Sequence, residues 1–153
     1  MTEDNIVSVS LSAYTSPKIT EDKRKDYIAY GEDNDYFNYL IERITGSTTN
    51  GAIIKGISNL IYGKGLAATD ASNKTQEWTK VFKMFRPSDL RKIIYDRKAL
   101  GMAAIQVIYK NGEPIECEHF PMQTLRAEKK DKDGVINNWL YCPDWANNKS
   151  NEE

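Results

Sequence analysis

Apolar residues recur at spacings of three and four along the middle of the chain, which is the period of helices with one buried face. The runs are separated by residues that typically begin or end helices: Gly46, the Gly63-Lys64-Gly65 segment, Pro87 and Gly101. The pattern therefore predicts four helices, over 36–45, over about 48–62, through 78–85 and through 90–100.

Each predicted helix has an apolar face that we expect to pack inward. Polar residues at 33–35 and at Ser47 precede the first two helices and are typical N-terminal caps. The residues expected to face the core are Phe37, Leu40, Ile41 and Ile44 in the first helix, Ile53, Ile54, Ile57, Leu60 and Ile61 in the second, Trp78, Val81, Phe82 and Phe85 in the third, and Leu90, Ile93, Ile94 and Leu100 in the fourth.

The period of the apolar residues changes to two after Gly101, which indicates β-strands. Residues 102–109 and 115–120 flank Asn111-Gly112, a sequence typical of a tight hairpin turn. Further strands are predicted at 6–11, at 124–128 and, after a turn at 131–134, at 135–142. We therefore expect an α+β fold of about four helices packed with a small antiparallel sheet. It divides into an N-terminal strand and polar connector (1–26), the main domain (27–145) and a polar, disordered tail (146–153).

Charge is unevenly distributed along the chain. The formal net charge is −1, yet residues 36–110 carry twelve Lys and Arg against five Asp and Glu, and each flanking segment has a net charge of −4. This basic centre has two interpretations: solvated helix faces, or a surface for a polyanion or for an acidic segment of a neighbouring subunit. The candidates for such a nucleic-acid or subunit interface are Lys55, Lys64, Arg91, Lys92, Arg97 and Lys98.

Motifs that carry chemistry are few. Cys117, His119 and Cys142 offer three zinc ligands without an evident fourth, so we interpret the first two as a half-buried hairpin face. The Gly63-Lys64-Gly65 segment follows a helix and lacks the context of a phosphate-binding loop. We predict no enzyme, no catalytic residues, no cofactor and no metal. No apolar run approaches the roughly 20 residues of a membrane-spanning helix, so we expect no membrane partner.

An ordered set of short motifs resembles the N-terminal region of tailed-bacteriophage portal proteins. The motifs run from Tyr30-Gly-Glu-Asp-Asn-Asp-Tyr36-Phe, through Ile61-Tyr-Gly-Lys-Gly65-Leu and Gly101-Met-Ala-Ala-Ile-Gln-Val-Ile-Tyr, to His119-Phe-Pro-Met-Gln-Thr-Leu-Arg126 and Trp139-Leu-Tyr-Cys-Pro-Asp-Trp145. They cover about residues 27–145. The resemblance is closest to portals of phages and prophages of Bacteroides-type bacteria.

The resemblance implies a structural part of the virion that assembles in the host cytoplasm. Portal subunits form a ring, usually a dodecamer, at one capsid vertex, and the ring passes double-stranded DNA during packaging and ejection. Its partners are the terminase, the major capsid protein and head–tail connector proteins. The family has no catalytic residues, and its N-terminal region contributes to the outer wing, so the resemblance implies a wing-like module.

Portal subunits are several times longer than this chain. We therefore expect an N-terminal piece of a longer polypeptide or a truncated prophage remnant, without the stem, the clip and the channel loop. The alternative function is a small prophage nucleic-acid-binding or adaptor module, which would gather basic side chains on one helical face. A small enzyme would instead need a polar pocket near Cys117, His119 and Asp144.

Overall fold

The computed structural model describes residues 18–20, 25–31 and 34–147. The elements in chain order are β1 (Ile19–Thr20), β2 (Ala29–Tyr30), α1 (Tyr36–Thr45), α2 (Thr48–Tyr62), α3 (Thr75–Met84), α4 (Pro87–Ala99), β3 (Ala104–Lys110), β4 (Glu113–Phe120), a 3₁₀ turn (Met122–Thr124), β5 (Leu125–Ala127) and β6 (Trp139–Tyr141). The α+β prediction is confirmed. The strand predicted at 6–11 and residues 148–153 of the predicted tail lie outside the described residues.

The helices end where local sequence signals place their ends. The Ser47 hydroxyl accepts a hydrogen bond from the Asn50 N–H at 3.3 Å and caps α2. Gly63 ends that helix with a φ of +51°, a conformation that glycine adopts without steric cost. The cap predicted at 33–35 is different: Asp35 occupies the N-cap position of α1, but its side chain accepts no hydrogen bond from a helix N–H, and Asn34 is buried. Asn34 therefore has another role, described below.

The strands form three separate antiparallel pairs rather than one sheet. The longest is the β3–β4 hairpin, in which Val107 lies opposite Cys117. Its turn is the predicted Asn111-Gly112, and both residues have positive φ, at +54° and +81°. β1, which lies inside the predicted polar connector, pairs with β2 at the start of the predicted main domain. The strand predicted at 135–142 is only Trp139–Tyr141, because its partner β5 has three residues.

The core consists of two small clusters around the junction of α1, α4 and β5. One contains the buried residues Phe37, Leu100 and Met122, and Leu40, Ile41 and other half-buried apolar residues pack against it. The second contains Tyr27, Ala29 and Trp145, and the Tyr27 and Trp145 rings lie 4.6 Å apart between centroids. The described part of the chain is thus held together mainly at this junction.

The expectation that the apolar faces of the second and third helices are buried is wrong. In α2, Ile53 is 54% exposed, Leu60 82% and Ile61 59%. The reason is geometric: Ser58 is the buried residue of α2, Ile54 and Ile57 are half-buried, and the apolar stripe of this helix is wider than its buried side. No residue of α3 is buried, and Phe82 on that helix is 54% exposed. Helix periodicity marks an apolar face, but not which element covers it.

Candidate functional site

Arg126 on β5 is the most buried charged side chain among the described residues, at 1% exposure. Its guanidinium makes two hydrogen bonds to Asn34: Nε donates to Oδ1 at 2.6 Å, and a terminal nitrogen donates to the backbone carbonyl at 2.7 Å. The other terminal nitrogen donates to the carbonyls of Gln123 and Leu125, at 2.9 and 2.8 Å. We call this arrangement the arginine clamp.

The arginine clamp contains no carboxylate partner for its cation. Burial lowers the pKa of Arg126 to about 10, because desolvation disfavours the charged form. The rings of Phe37 and Trp145 lie 5.1 and 5.2 Å from the guanidinium carbon and supply weak cation–π attraction. The Asn34 amide nitrogen is buried and has no hydrogen-bond partner among the described residues. Within that part of the chain, the guanidinium contacts amide and carbonyl oxygens and two aromatic rings, and no carboxylate forms an ion pair with it.

The clamp joins three of the portal-like motifs that are far apart in sequence. Tyr30 and Asn34 belong to the first motif, and the Tyr30 N–H donates to Asn34 Oδ1 at 3.0 Å. Arg126 ends the fourth motif, and Trp145 ends the fifth. The Trp145 indole N–H also donates to the Thr124 carbonyl at 2.9 Å. Residues singled out as one ordered pattern thus meet at one structural junction.

A cleft of about 290 Å³ lies between α2 and α4, and we call it the α2–α4 cleft. Its walls come from one face of each helix, and His119 of β4 closes one side. Residues three or four apart on a helix share a face, and these spacings recur on both walls. The lining residues are Lys55, Ser58 and Asn59 of α2, Arg91, Lys92, Tyr95 and Asp96 of α4, and His119.

The α2–α4 cleft carries an excess of positive charge. The Lys55 and Arg91 cations form no ion pair with a described residue, whereas Lys92 lies 3.4 Å from Asp89. The carboxylate that lines the cleft, Asp96, lies 2.7 Å from His119 Nε2. The lining contains three cations, Lys55, Arg91 and Lys92, against this one carboxylate, so the net charge of the cleft is positive.

Arg91 is held in place by Tyr62, the last residue of α2. The guanidinium carbon lies 3.7 Å from the centre of the Tyr62 ring. Such stacking engages the flat face of the guanidinium and leaves its N–H edge available for hydrogen bonds. This contact therefore orients Arg91 before any ligand arrives.

The six interface candidates fall into two groups. Lys55, Arg91 and Lys92 line the α2–α4 cleft. The other three lie outside it and are exposed: Lys64 follows α2, and Arg97 and Lys98 lie in the last turn of α4. Arg97 donates a hydrogen bond to the Gly101 carbonyl and so helps to end its helix.

Comparison with protein-family models, with curated proteins and with solved structures gives no match for this chain.

The structure does not bring the residues considered for zinc or for catalysis into a common site. Cys117 is buried under the hairpin, and His119 is bound to Asp96. Asp144, which a small enzyme would need nearby, accepts hydrogen bonds from Asn147, and these bonds lower the pKa of its carboxyl. Across the described ranges, no three His, Cys, Asp or Glu side chains form a group able to hold a metal ion. Within the same ranges, no helix is long and apolar enough to span a bilayer.

An apolar hollow of about 640 Å³ lies beside the start of β3 and the end of β4. The sequence does not predict this hollow, because its walls come from separate segments. The lining residues are Met102, Ala103, Ala104, Ile105, Gln106, Phe120, Met122, Leu125 and Trp139. The arginine clamp is not predicted either, although a basic residue between Leu125 and Ala127 in a short apolar strand is a local signal for it.

Proposed function

We propose that this chain is part of a structural subunit of a phage portal ring, which passes double-stranded DNA through the capsid vertex. The observation that supports the proposal most is the convergence of the first, fourth and fifth portal-like motifs on the arginine clamp. Arg126 bonds Asn34 across 92 positions of sequence and lies beside Trp145. Motifs that share one buried junction form a single structural module, which supports reading them together rather than as separate short strings.

The uncovered apolar faces support an assembled state. Large apolar residues of α2, α3 and β3 are exposed, among them Leu60 at 82% and Tyr109 at 64%. Contiguous apolar surface on a protein typically marks a contact with another chain or with a further part of the same chain. A wing module inside a ring has such contacts on several sides.

The test is the assembly state of the complete product of the gene that encodes this chain. We expect particles of about a dozen subunits by native mass spectrometry and rings by negative-stain electron microscopy. The double variant Ile53→Glu/Leu60→Glu places charge on the uncovered face of α2 and should reduce ring formation. The matched double variant Lys80→Glu/Lys98→Glu changes other exposed positions and should not. A complete product that remains a monomer would contradict the proposal.

The alternative, a nucleic-acid-binding or adaptor module, is favoured by one observation: three basic side chains meet in the α2–α4 cleft. Fluorescence anisotropy with a labelled DNA duplex tests it over a range of salt concentrations. Each phosphate contact contributes a slope of roughly −0.9 to log K against log salt. Arg91→Gln should reduce both the affinity and the slope, whereas Lys98→Gln should change neither. Equal effects of the two substitutions would indicate diffuse attraction and count against a defined nucleic-acid site.

A further inference from the structure

We infer that the α2–α4 cleft is a binding site for a single phosphate group. The inference goes beyond the ring proposal and does not depend on it, because it concerns one small oxyanion in a recess rather than the assembly of subunits. It rests on the unbalanced charge of the cleft, on its free hydrogen-bond donors and on its shape.

Cations in the cleft lack the partners that such groups normally have. Lys55 faces the recess without an ion pair to any described residue, and Arg91 has only the Tyr62 ring. Asp96 lies 2.7 Å from His119 Nε2, and these two side chains are only 14% and 12% exposed. An anion entering the cleft would therefore meet three cations, Lys55, Arg91 and Lys92, against one carboxylate.

Neutral donors complete the site. The Asn59 amide and the Tyr95 hydroxyl both line the cleft, and neither has a hydrogen-bond partner within the described ranges. The Ser58 hydroxyl on the same wall differs, because it donates to the Ile54 carbonyl at 2.8 Å. Two cations and two neutral donors around one recess thus have no ion-pair or hydrogen-bond partner among the described side chains, and an anion would take the place of the water that hydrates them.

The number and geometry of these donors fit a phosphate better than a carboxylate. A phosphate presents three or four acceptor oxygens, and a guanidinium binds two of them through parallel N–H bonds. A carboxylate has two oxygens and would leave part of the donor set unused. A recess of about 290 Å³ admits a phosphate with a small attached group, such as a sugar. Both free phosphate compounds and a nucleic-acid backbone could supply that group.

The first experiment titrates the whole chain with inorganic phosphate and follows the amide signals by NMR, at a constant ionic strength maintained with NaCl. We expect saturable shifts in α2 and α4 around Lys55, Asn59 and Arg91. Lys55→Gln and Arg91→Gln should each weaken binding about tenfold or more, since each removes a charge-assisted hydrogen bond. Lys98→Gln is the matched control: the residue lies on α4 outside the cleft and should change affinity less than twofold.

Two further ligands distinguish the sources of the phosphate. A 5′-mononucleotide that competes with inorganic phosphate for the same signals would indicate a free phosphate monoester. An oligonucleotide without terminal phosphates that competes in the same way, and loses affinity in Arg91→Gln, would indicate a backbone phosphate. The inference is overturned if phosphate causes no shifts beyond those of NaCl, or if Lys98→Gln weakens binding as much as Arg91→Gln. Arg91→Lys should retain part of the affinity, because lysine keeps the positive charge but cannot donate the two parallel N–H bonds of a guanidinium.

Ring assembly is measured separately, so the two outcomes remain distinct. A complete gene product that forms rings without binding phosphate would overturn this inference and leave the ring proposal standing. A complete gene product that stays a monomer and binds phosphate would contradict the ring proposal and support this inference. Thermal melting of each variant confirms that a loss of binding is not a loss of the fold.

Discussion

Replacing Arg126 with Met should strongly destabilise the chain. Methionine has a similar length and fits an apolar site, but it has no hydrogen-bond donors. The substitution removes four hydrogen bonds, to Asn34 Oδ1 and to the backbone carbonyls of Asn34, Gln123 and Leu125. Asn34 Oδ1 keeps a donor, the Tyr30 N–H at 3.0 Å. Three carbonyls therefore lose the guanidinium as their donor.

The expected magnitude follows from these three carbonyls. A buried acceptor left without a partner costs about 1–3 kcal/mol, and because the bonds to Gln123 and Leu125 are only partly buried, the sum lies in the lower part of roughly 3–9 kcal/mol. Part of this is offset, because burial already disfavours the charged form of Arg126, as its lowered pKa of about 10 shows. We expect a net loss of about 3–5 kcal/mol. A domain is typically stable by about 5–15 kcal/mol, so much of the stability depends on this one side chain.

Urea unfolding followed by tryptophan fluorescence measures this loss, because Trp145 lies beside the guanidinium. Arg126→Lys keeps a cation but not the planar set of N–H donors of the guanidinium, so it should lose nearly as much stability as Arg126→Met. The control is Lys98→Met, an exposed substitution that should change the free energy of unfolding by less than about 0.5 kcal/mol. The reasoning is refuted if Arg126→Lys stays within about 1 kcal/mol of the original chain, because charge alone would then suffice.

Two further substitutions test other parts of the structure. Asn34→Asp turns the side chain that already accepts from Arg126 Nε at 2.6 Å into a carboxylate, so it adds an ion pair to this hydrogen bond and should stabilise the fold by about 1 kcal/mol at pH 7. A carboxyl paired in this way has a lowered pKa in the folded state, so the gain should disappear as the pH falls below about 4 in urea unfolding; equal gains at pH 7 and pH 3 would contradict this. At the exposed turn, the hydrogen bond from the Val135 N–H lowers the pKa of the Asp131 carboxyl below 3.8. The stabilisation that this carboxylate gives to the fold is therefore present above pH 3.8 and is lost as the pH falls through the lowered pKa. An NMR titration should show the Asp131 carboxyl protonating at a lower pH than the same residue in an unfolded peptide of this sequence. Asp131→Asn should remove the transition. A titration at the ordinary pKa of an aspartate would show that the turn does not stabilise the carboxylate.

The ends of the elements could be predicted from the sequence because their signals are local. Tyr36–Thr45 and Thr48–Tyr62 match the predicted helices, and the hairpin turns at Asn111-Gly112 as expected. For α2 and the hairpin, the residues that end the element act on their own backbone, through the Ser47 hydroxyl and the positive φ of Gly63, Asn111 and Gly112, whereas α1 ends at Gly46 with a φ of −73°. Such information needs no knowledge of the rest of the chain.

The partners of the elements could not be predicted in the same way. Arg126 bonds Asn34 across 92 positions, and no period in the sequence links the two residues. The same limit explains the apolar stripes of α2 and α3, which periodicity assigned to the core and which the structure leaves exposed. It also explains the basic residues: Lys55 and Arg91 face one cleft because α2 packs on α4, and neither helix carries that information alone.

The uncovered apolar face of α2 and the α2–α4 cleft lie on different sides of the same helix. Successive residues of a helix are rotated by about 100°, so Lys55 points roughly 140–160° away from Ile53 and Leu60. A partner that covers Ile53 and Leu60 would therefore leave the mouth of the cleft open. The two proposals thus predict independent behaviour: assembly should not change the affinity for phosphate, and phosphate should not change the assembly state. If phosphate and subunit assembly competed with each other, the subunit contact would lie on the cleft itself. Lys55 and Arg91 would then bind an acidic segment of a neighbouring chain rather than a phosphate.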